Sequence, residues 1–243
     1  MNFFKLFIFL FFISNVIFAQ QEQGSDGDLI LYRKENHGGV FVHDKGLGFF
    51  YRNGIHKTGK IKRFYEFDVL NMKHPKEYKI TSAYDNKFIY GKINSFSIVR
   101  TGIGYHNTLH AKDQRKGVEV RYHYYIGSSM GLLKPVYLDI IKNETSNKRI
   151  VSQKHDPLTQ SWGEIYGRSG FTKGLSELKF QPGIYAKLGL SFEYSSFDDL
   201  VRAIETGIVV DAYSKKIPIM STAINKQVFI SFYISLVFGK KEF

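Results

Sequence analysis

The segment Leu178-Lys-Phe-Gln-Pro-Gly-Ile-Tyr-Ala-Lys-Leu-Gly-Leu-Ser-Phe-Glu-Tyr194 alternates between two kinds of side chain. Its even positions are apolar or aromatic, and its odd positions are mostly charged, polar or glycine. Because successive side chains of a β-strand point to opposite faces, one face of this strand is apolar and the other is polar or small. The segment is longer than the roughly 5–6 residues usual in soluble sheets and reaches the roughly 9–11 residues that a tilted membrane strand needs. It predicts a membrane-spanning strand.

Two further segments repeat the pattern. Large apolar side chains share one face from 118 to 132, interrupted by Ser128. From Val228 to Phe238 every even position is large and apolar. Phe243 has the wrong parity for that face, so we expect 239–243 to be a short tail. The predicted lipid-facing residues of this closing strand are Phe232, Ile234, Leu236 and Phe238.

The whole chain divides into candidate strands near 29–34, 39–53, 60–73, 94–106, 117–140, 176–195, 200–214 and 226–240. Bacterial single-chain barrels have an even number of strands. The predicted fold is therefore all-β, a closed antiparallel up-and-down transmembrane β-barrel of eight strands. As an alternative, the weak first strand belongs to one long strand broken near Gly38 and Gly39.

A soluble β-sandwich would also alternate, but glycines on the polar face favour the barrel. Small residues suit the crowded inside of a narrow barrel. The glycines with this placement are Gly127, Gly131, Gly183, Gly189 and Gly207.

The N-terminus has the pattern of a secretory signal peptide. Lys5 precedes an apolar run from Leu6 to Ala19, which is shorter than the roughly 20 residues of a spanning helix. We assign 1–19 to the signal peptide, 20–28 to a flexible mature N-terminus and 29–243 to the barrel domain. The chain contains no cysteine, so it has no disulfide and no lipid-modified cysteine. The predicted location is the outer membrane of a Gram-negative-type envelope.

The chain is basic, with a formal net charge of +12. The predicted partner is outer-membrane lipid, together with lipopolysaccharide or other envelope proteins as further candidates. Export makes nucleic acid an unsuitable partner, and the lysines can also simply solvate the loops.

The connections predict an orientation, because periplasmic turns of such barrels are short and outer loops are long. The short segment 195–199 is expected in the periplasm, together with 107–116 and the C-terminus. The long segments 142–173 and 214–226 are then expected outside.

Charged side chains on the polar face are expected to line the lumen. An eight-stranded barrel is just wide enough for side chains, and unpaired charges there are costly. We therefore expect a salt-bridged interior without an open pore, with a proton or ion path as the alternative. The predicted interior charge ladder is Lys62, Glu66, Asp68, Glu119, Arg121, Lys179, Lys187, Glu193, Glu205 and Asp211.

No catalytic, cofactor or metal site is predicted. His123 and Ser129 lie roughly 20 Å apart along one strand, at about 3.3 Å per residue, so they cannot form a nucleophile–base pair there. The pairs His37/His43 and His106/His110 have no Cys or carboxylate cluster at metal spacing, and we interpret them as loop histidines.

Aromatic and basic residues occur together in the long connections, a combination that can hold a glycan or a lipid phosphate and can equally anchor the protein at a membrane interface. They are Tyr84, Tyr90, Trp162 and Tyr166, with Lys142, Lys148, Arg149 and Lys154 near the second pair.

Three runs carry a family resemblance: 131–138 (GLLKPVYL), 182–190 (PGIYAKLGL) and 207–213 (GIVVDAY). With 215–220 and the closing strand to Lys240, they resemble the small outer-membrane β-barrels described as PorT-like. The long strands with one apolar face predict a structural, binding or accessory role in the envelope, without an open pore. The alternative that the resemblance implies is a subunit of a secretion or surface-translocation machine, and a second alternative is an envelope-lipid hydrolase. The resemblance transfers no functional residue.

Overall fold

The computed structural model describes residues 33–112, 117–144, 147–157, 159–160, 162–197, 199–221 and 224–242. The predicted signal peptide at 1–19, the segment 20–28 and Phe243 lie outside these residues.

The described chain consists mainly of β-strands. In chain order they are β1 Lys34–His43, β2 Gly46–His56, β3 Ile61–Met72, β4 Ile80–Thr81, β5 Lys87–Phe88, β6 Asn94–His110, β7 Glu119–Pro135, β8 Tyr137–Glu144, β9 Asn147–Lys154, β10 Ile165–Arg168, β11 Lys179–Glu193, β12 Leu200–Tyr213 and β13 Val228–Glu242. Short 3₁₀ turns cover Trp162–Glu164 and Leu175–Glu177. Among the described residues, no helix has the length and apolar character needed to cross a membrane.

Eight of these strands close into a barrel in the order β1-β13-β12-β11-β7-β6-β3-β2. Every neighbouring pair is antiparallel, including the seam between β1 and β13. The predicted closed eight-stranded up-and-down barrel is confirmed.

The prediction was wrong at the first hairpin. The long strand expected over 39–53 is divided into β1 and β2, which meet at the turn Asp44–Lys45. Of the weak strand expected at 29–34, residues 29–32 lie outside the described residues, and Lys34 begins β1. Gly38 and Gly39 lie within β1 and do not break it. A Cβ on Gly39 would come within 2.7 Å of the Phe50 ring, so this glycine serves close packing inside the barrel.

Two other boundaries also differ from the prediction. The strand expected over 117–140 ends at Pro135, and β8 then leaves the barrel to join another sheet. Residues 239–242, expected in a tail, belong to β13 and pair with the start of β1. The last barrel strand therefore continues beyond Phe238.

The barrel has a short-turn end and a long-loop end. Connections 57–60, 111–118 and 194–199 lie at the short-turn end, together with the first residues of β1 and the last of β13. The turn 44–45 and the loops 73–93, 136–178 and 214–227 lie at the long-loop end. The described parts of 107–116 and 195–199 thus lie at one end and those of 142–173 and 214–226 at the other, as expected, whereas the two-residue turn 44–45 is a short connection at the long-loop end.

The long loops carry structure of their own. Strands β8, β9 and β10 form a three-stranded sheet, and β4 pairs with β5. Phe88, Leu138 and Ile165 are buried together beneath them as a small apolar core. We call this assembly the loop sheet.

The outward face of the barrel is apolar along its strands. On β13 the predicted lipid-facing residues Phe232, Ile234, Leu236 and Phe238 are all exposed, and the alternate residues are buried. On β11, Ile184 and Leu188 are exposed while Tyr185 and Lys187 are buried. The alternation read from the sequence therefore gives the correct facing of these strands.

Candidate functional site

The centre of the lumen contains a network of buried ion pairs. Arg52 on β2 donates from Nε to Glu66 Oε2 at 2.7 Å and from Nη1 to Glu205 Oε2 at 2.8 Å. Lys187 on β11 donates to Glu66 at 2.7 Å and to Asp68 at 2.8 Å. Arg52 and Glu66 lie on the paired strands β2 and β3. The bonds from Arg52 to Glu205 and from Lys187 to Glu66 and Asp68 connect strands that are not neighbours, so these side chains brace the barrel from inside.

Arg100 extends this network toward the long-loop end. It makes two hydrogen bonds to Asp211 and lies 3.6 Å from Asp68. Ser129 donates to the same Asp211 carboxylate at 3.1 Å. Charge-assisted, bidentate pairing of this kind is what a buried guanidinium needs to offset its lost hydration.

A second network lies at the short-turn end. Glu35 accepts from Lys62 at 2.7 Å and from Arg121 at 3.2 Å. Arg121 also pairs with Glu119 at 2.6 Å and with Glu193. Across both networks the described carboxylates and their ion-paired cations are equal in number: Glu35, Glu66, Asp68, Glu119, Glu193, Glu205 and Asp211 against Arg52, Lys62, Arg100, Lys112, Arg121, Lys187 and Lys241.

Histidines and tyrosines also line the lumen. His106 bonds the Tyr125 hydroxyl and His123 bonds the Tyr233 hydroxyl, both at 2.6 Å. The two imidazole rings stack with centroids 4.9 Å apart. His37 contacts Glu35 at 2.7 Å.

The interpretation of His37, His43 and His106 as loop histidines is therefore wrong, because all three are buried on barrel strands. His110 is exposed at the end of β6.

The structure places nearly all of the predicted charge ladder inside the barrel. Lys179 is the exception: its parity is inward, but it is exposed at the first residue of β11, where the strand reaches the long-loop end. Glu119 is only partly buried, near the short-turn end. The buried members are Lys62, Glu66, Asp68, Arg121, Lys187, Glu193, Glu205 and Asp211.

Sequence reasoning missed Glu35, Arg52 and Arg100. Arg100 shares its parity with Gly102 and Gly104 on β6, which was a usable signal for an inward position. Glu35 and Arg52 were missed because the first hairpin was divided incorrectly.

One group of described residues has donor atoms close enough to hold a metal ion. Donor atoms of His106, His123 and Glu205 lie within 4.8 Å of one another. However, Arg52 donates two hydrogen bonds to the Glu205 carboxylate, and the two histidines are hydrogen-bonded to tyrosine hydroxyls. A cation there would meet the guanidinium, so we assign no metal to this group.

A serine–histidine pair is not found among the described residues. Ser129 bonds Asp211 and the Tyr213 hydroxyl, whereas His123 bonds Tyr233. The side-chain geometry expected of an activated serine is therefore missing from this part of the chain.

An apolar plug closes the long-loop end of the lumen. Ile217, Ile219 and Met220 of the loop 214–227 are buried with Phe96 and Phe229. The backbone of this loop is fixed by Ile93 N donating to Ile219 O at 2.9 Å and Ser221 N donating to Gly91 O at 2.8 Å. Between the plug and the short-turn end, the ion pairs fill the interior.

The loop-sheet aromatics meet in pairs. Tyr84 lies against Tyr166 with centroids 5.4 Å apart, and Tyr90 stacks on Trp162 at 6.5 Å. Trp162 remains half-exposed. Lys154, at the end of β9, pairs with Glu177 at 3.0 Å. Lys142 and Arg149 are exposed on strands β8 and β9 of the loop sheet. The side chain of Lys148 is not among those that the structure describes.

Comparison with known proteins yields similarities of strand arrangement. No protein-family model matches the chain, and no curated protein matches it. Among solved structures, Neisserial surface protein A gives a TM-score of 0.41 at 9% identity over 86% of this chain and 96% of its own. The attachment invasion locus protein Ail of Yersinia pestis gives 0.40 at 8% identity over 87% and 99%. The N-terminal β-barrel domain of Pseudomonas aeruginosa OprF gives 0.36 at 6% identity over 86% and 98%.

Proposed function

We propose that this protein is an outer-membrane β-barrel without an open pore that acts as a structural, binding or accessory module of the envelope. The observation that carries the proposal is that apolar and charged side chains are distributed the opposite way from those of a soluble protein. Apolar residues cover the outward face, and ion pairs fill the lumen. Exposing a row of large apolar side chains such as Phe232, Ile234 and Leu236 to water is unfavourable for a soluble barrel, whereas contact of these side chains with lipid is favourable.

The filled lumen supports a closed barrel rather than a channel. Water-filled channels are typical of barrels with many more strands, and eight strands leave room only for side chains. Here guanidinium groups and carboxylates occupy the axis, and the apolar plug covers one end. The long-loop end, with its folded loop sheet, is then the part of the protein that meets other molecules.

Two measurements test this proposal. We expect the mature protein to fractionate with outer membranes and to need detergent or lipid to stay folded. In planar bilayers we expect no stable ionic conductance. Folded protein in the soluble periplasm would overturn the membrane location, and regular conductance steps would overturn the closed lumen.

A second proposal is a role as a subunit of a secretion or surface-translocation machine. The PorT-like resemblance supports it, and so do exposed aromatic side chains at the long-loop end, Trp162 and Phe171. Affinity purification from detergent-solubilised envelopes tests it. Migration as a free monomer under mild detergent conditions, also after in vivo crosslinking, would count against it.

We propose no enzymatic role. A serine hydrolase of the Ser–His type would need a serine and a histidine in contact, and the hydroxyl of Ser129 and the ring of His123 are bonded elsewhere. Measurable release of fatty acid from envelope lipid by the purified protein, lost in Ser129→Ala, would overturn this.

A further inference from the structure

A notch opens in the rim at the long-loop end, above the turn between β1 and β2. That connection consists of Asp44 and Lys45 alone, while the flanking connections after β3 and before β13 are long. Because β13, β1, β2 and β3 are consecutive in the barrel, the two long segments rise on either side of a low wall. The cavity between them has a volume of about 270 Å³.

The inner wall of the notch is apolar. Ile217, Ile219 and Phe229 line the notch, and the same three side chains form part of the apolar plug. Ile224 and Pro75 complete the lining, and Ile224 is 86% exposed. A large aliphatic side chain so exposed beside a cavity offers apolar surface to a ligand.

The outer edge of the notch is positive. Lys73, Lys76 and Lys226 line it, are exposed, and have no ion-pair partner among the described residues. Lys45 differs, because it is bonded to Asp44 at 2.8 Å and to Ser231 at 3.1 Å. No described carboxylate lines the cavity, and Glu77, which lies beside His74 in the cavity wall, is ion-paired with Lys92 at 2.6 Å.

The surroundings of His74 agree with this positive field. Burial lowers the pKa of this histidine, Glu77 raises it, and the charges of Lys76 and Lys226 lower it further. Two lysines from different loops thus act on the same point of the cavity wall.

The notch also lies next to the surface that faces lipid. Val42 and Leu47, which flank the β1–β2 turn, are 65% and 55% exposed on the outward face. Lys73 adjoins this turn, because its backbone N donates to Lys45 O at 2.7 Å. A molecule in the notch can therefore lie partly along that outward face.

We propose that the notch binds one phosphorylated lipid of the outer leaflet, with its phosphate on Lys73, Lys76 and Lys226 and an acyl chain against Ile224 and Phe229. This inference rests on the proposed membrane location. Typical small-molecule sites have roughly 300–1,000 Å³, so a notch slightly below that range holds the headgroup and the first part of a chain. The combination of ammonium groups and aliphatic surface matches a phosphate and a hydrocarbon on one molecule.

The test uses the purified mature protein in a neutral maltoside detergent, titrated calorimetrically with dihexanoyl phosphatidic acid. We expect saturable binding. The variant Lys73→Gln/Lys76→Gln/Lys226→Gln should weaken it at least tenfold. The control Lys142→Gln/Lys215→Gln/Lys216→Gln removes the same charge from exposed residues at the same end that do not line the notch, and it should change affinity less than twofold.

Two further ligands and one variant separate lipid from a simple anion. Dihexanoylglycerol and inorganic phosphate should each bind at least tenfold more weakly than the phosphatidic acid. Ile224→Ser should lower the affinity for the phosphatidic acid several-fold and leave the affinity for inorganic phosphate unchanged.

Four outcomes would overturn the proposal. They are no binding by the unaltered protein, equal affinity for inorganic phosphate, equal losses in both triple variants, and no loss in either. Because the titration is done in detergent, its result is independent of fractionation, so failure of the notch and failure of the membrane location are separate findings.

Discussion

The guanidinium of Arg100 meets the carboxylate of Asp211 through two hydrogen bonds, Nε to Oδ1 at 2.8 Å and Nη2 to Oδ2 at 2.6 Å. The two residues lie on β6 and β12, which β7 and β11 separate in the barrel. Both side chains are buried. The pair therefore spans the lumen and connects two parts of the wall that share no backbone hydrogen bond.

Replacing Arg100 by Met should destabilise the barrel by about 3–5 kcal/mol, because Asp211 is left as a buried charge without its cation. The double variant Arg100→Met/Asp211→Leu should recover much of that loss. Urea unfolding in lipid vesicles measures both, with Arg149→Met on the exposed loop sheet as the control. Equal stability of Arg100→Met and the control would contradict a structural role for the ion pair.

Leu188→Arg should lower stability in lipid by about 2–4 kcal/mol if residue 188 lies near mid-bilayer. The side chain is exposed on the outward face of β11. Lys187→Leu should also destabilise, for a different reason: Glu66 and Asp68 lose a shared partner. In detergent-free vesicles the first variant should respond to bilayer thickness and the second should not.

Lipid contact on β11 should follow parity. A photo-crosslinkable lipid should label positions 184, 188 and 190 and spare 185, 187 and 189, because only the first set lies on the outward face. Single-site probes along the strand make the measurement. Equal labelling of the two sets would be incompatible with a membrane-spanning β11.

Gly189→Ala should destabilise the barrel by about 1–3 kcal/mol through overpacking. An added Cβ would lie 2.5 Å from the Tyr233 hydroxyl, 2.6 Å from His123 Nε2 and 2.6 Å from the Thr206 carbonyl oxygen. Gly59→Ala is the control, since nothing lies within 4 Å of its added Cβ. The migration of unheated and heated samples on a denaturing gel reports the folded fraction, and identical behaviour of both variants would refute the close packing.

The loop sheet should loosen as pH falls. His155 Nε2 accepts from the backbone of Gly91 at 3.1 Å and its Nδ1 donates to Gln160, so the folded site holds a neutral ring. Burial lowers the pKa of His155, against opposing effects of Gln160 and Asp156. The unfolded loop therefore takes up a proton first, and stability present above about pH 6.5 is lost below it.

The single tryptophan provides the measurement, because Trp162 stacks on Tyr90, which contacts His155. Its fluorescence should change between about pH 7.5 and 5, and His155→Gln should abolish most of that change. An unaltered titration in His155→Gln would assign the transition to another group.

Alternation was enough to predict the strands whose two faces differ clearly. β11, β12 and β13 were found nearly within their observed bounds, with the correct facing. It failed at β1 and β2, because the turn Asp44–Lys45 contains neither glycine nor proline. Gly38 and Gly39 resemble a turn but lie within β1, where Gly39 allows close packing against Phe50. The predicted strand also ran past Pro135, the end of β7, because the alternation of side chains continues where the chain leaves the barrel.

The interior was predictable residue by residue but not pair by pair. Parity tells that Lys187 points inward, yet its partners Glu66 and Asp68 are 121 and 119 residues away in sequence. Which side chains meet depends on strand register around the closed barrel. The rim notch was unpredictable for the same reason, because its lysines come from separate loops that meet only above the β1–β2 turn.

The seam between β1 and β13 determines when the barrel can close. Lys34–His43, at the start of the described chain, pairs with 233–242 at its end. Arg52 likewise finds Glu205 only 153 residues later. A nascent chain thus emerges before Arg52 and Arg100 can meet their partners on β12, and with an unpaired edge at each side of the growing sheet. Closure of the barrel therefore waits for the last strand, and we expect loss of that strand to leave an open sheet with a charged interior rather than a smaller barrel.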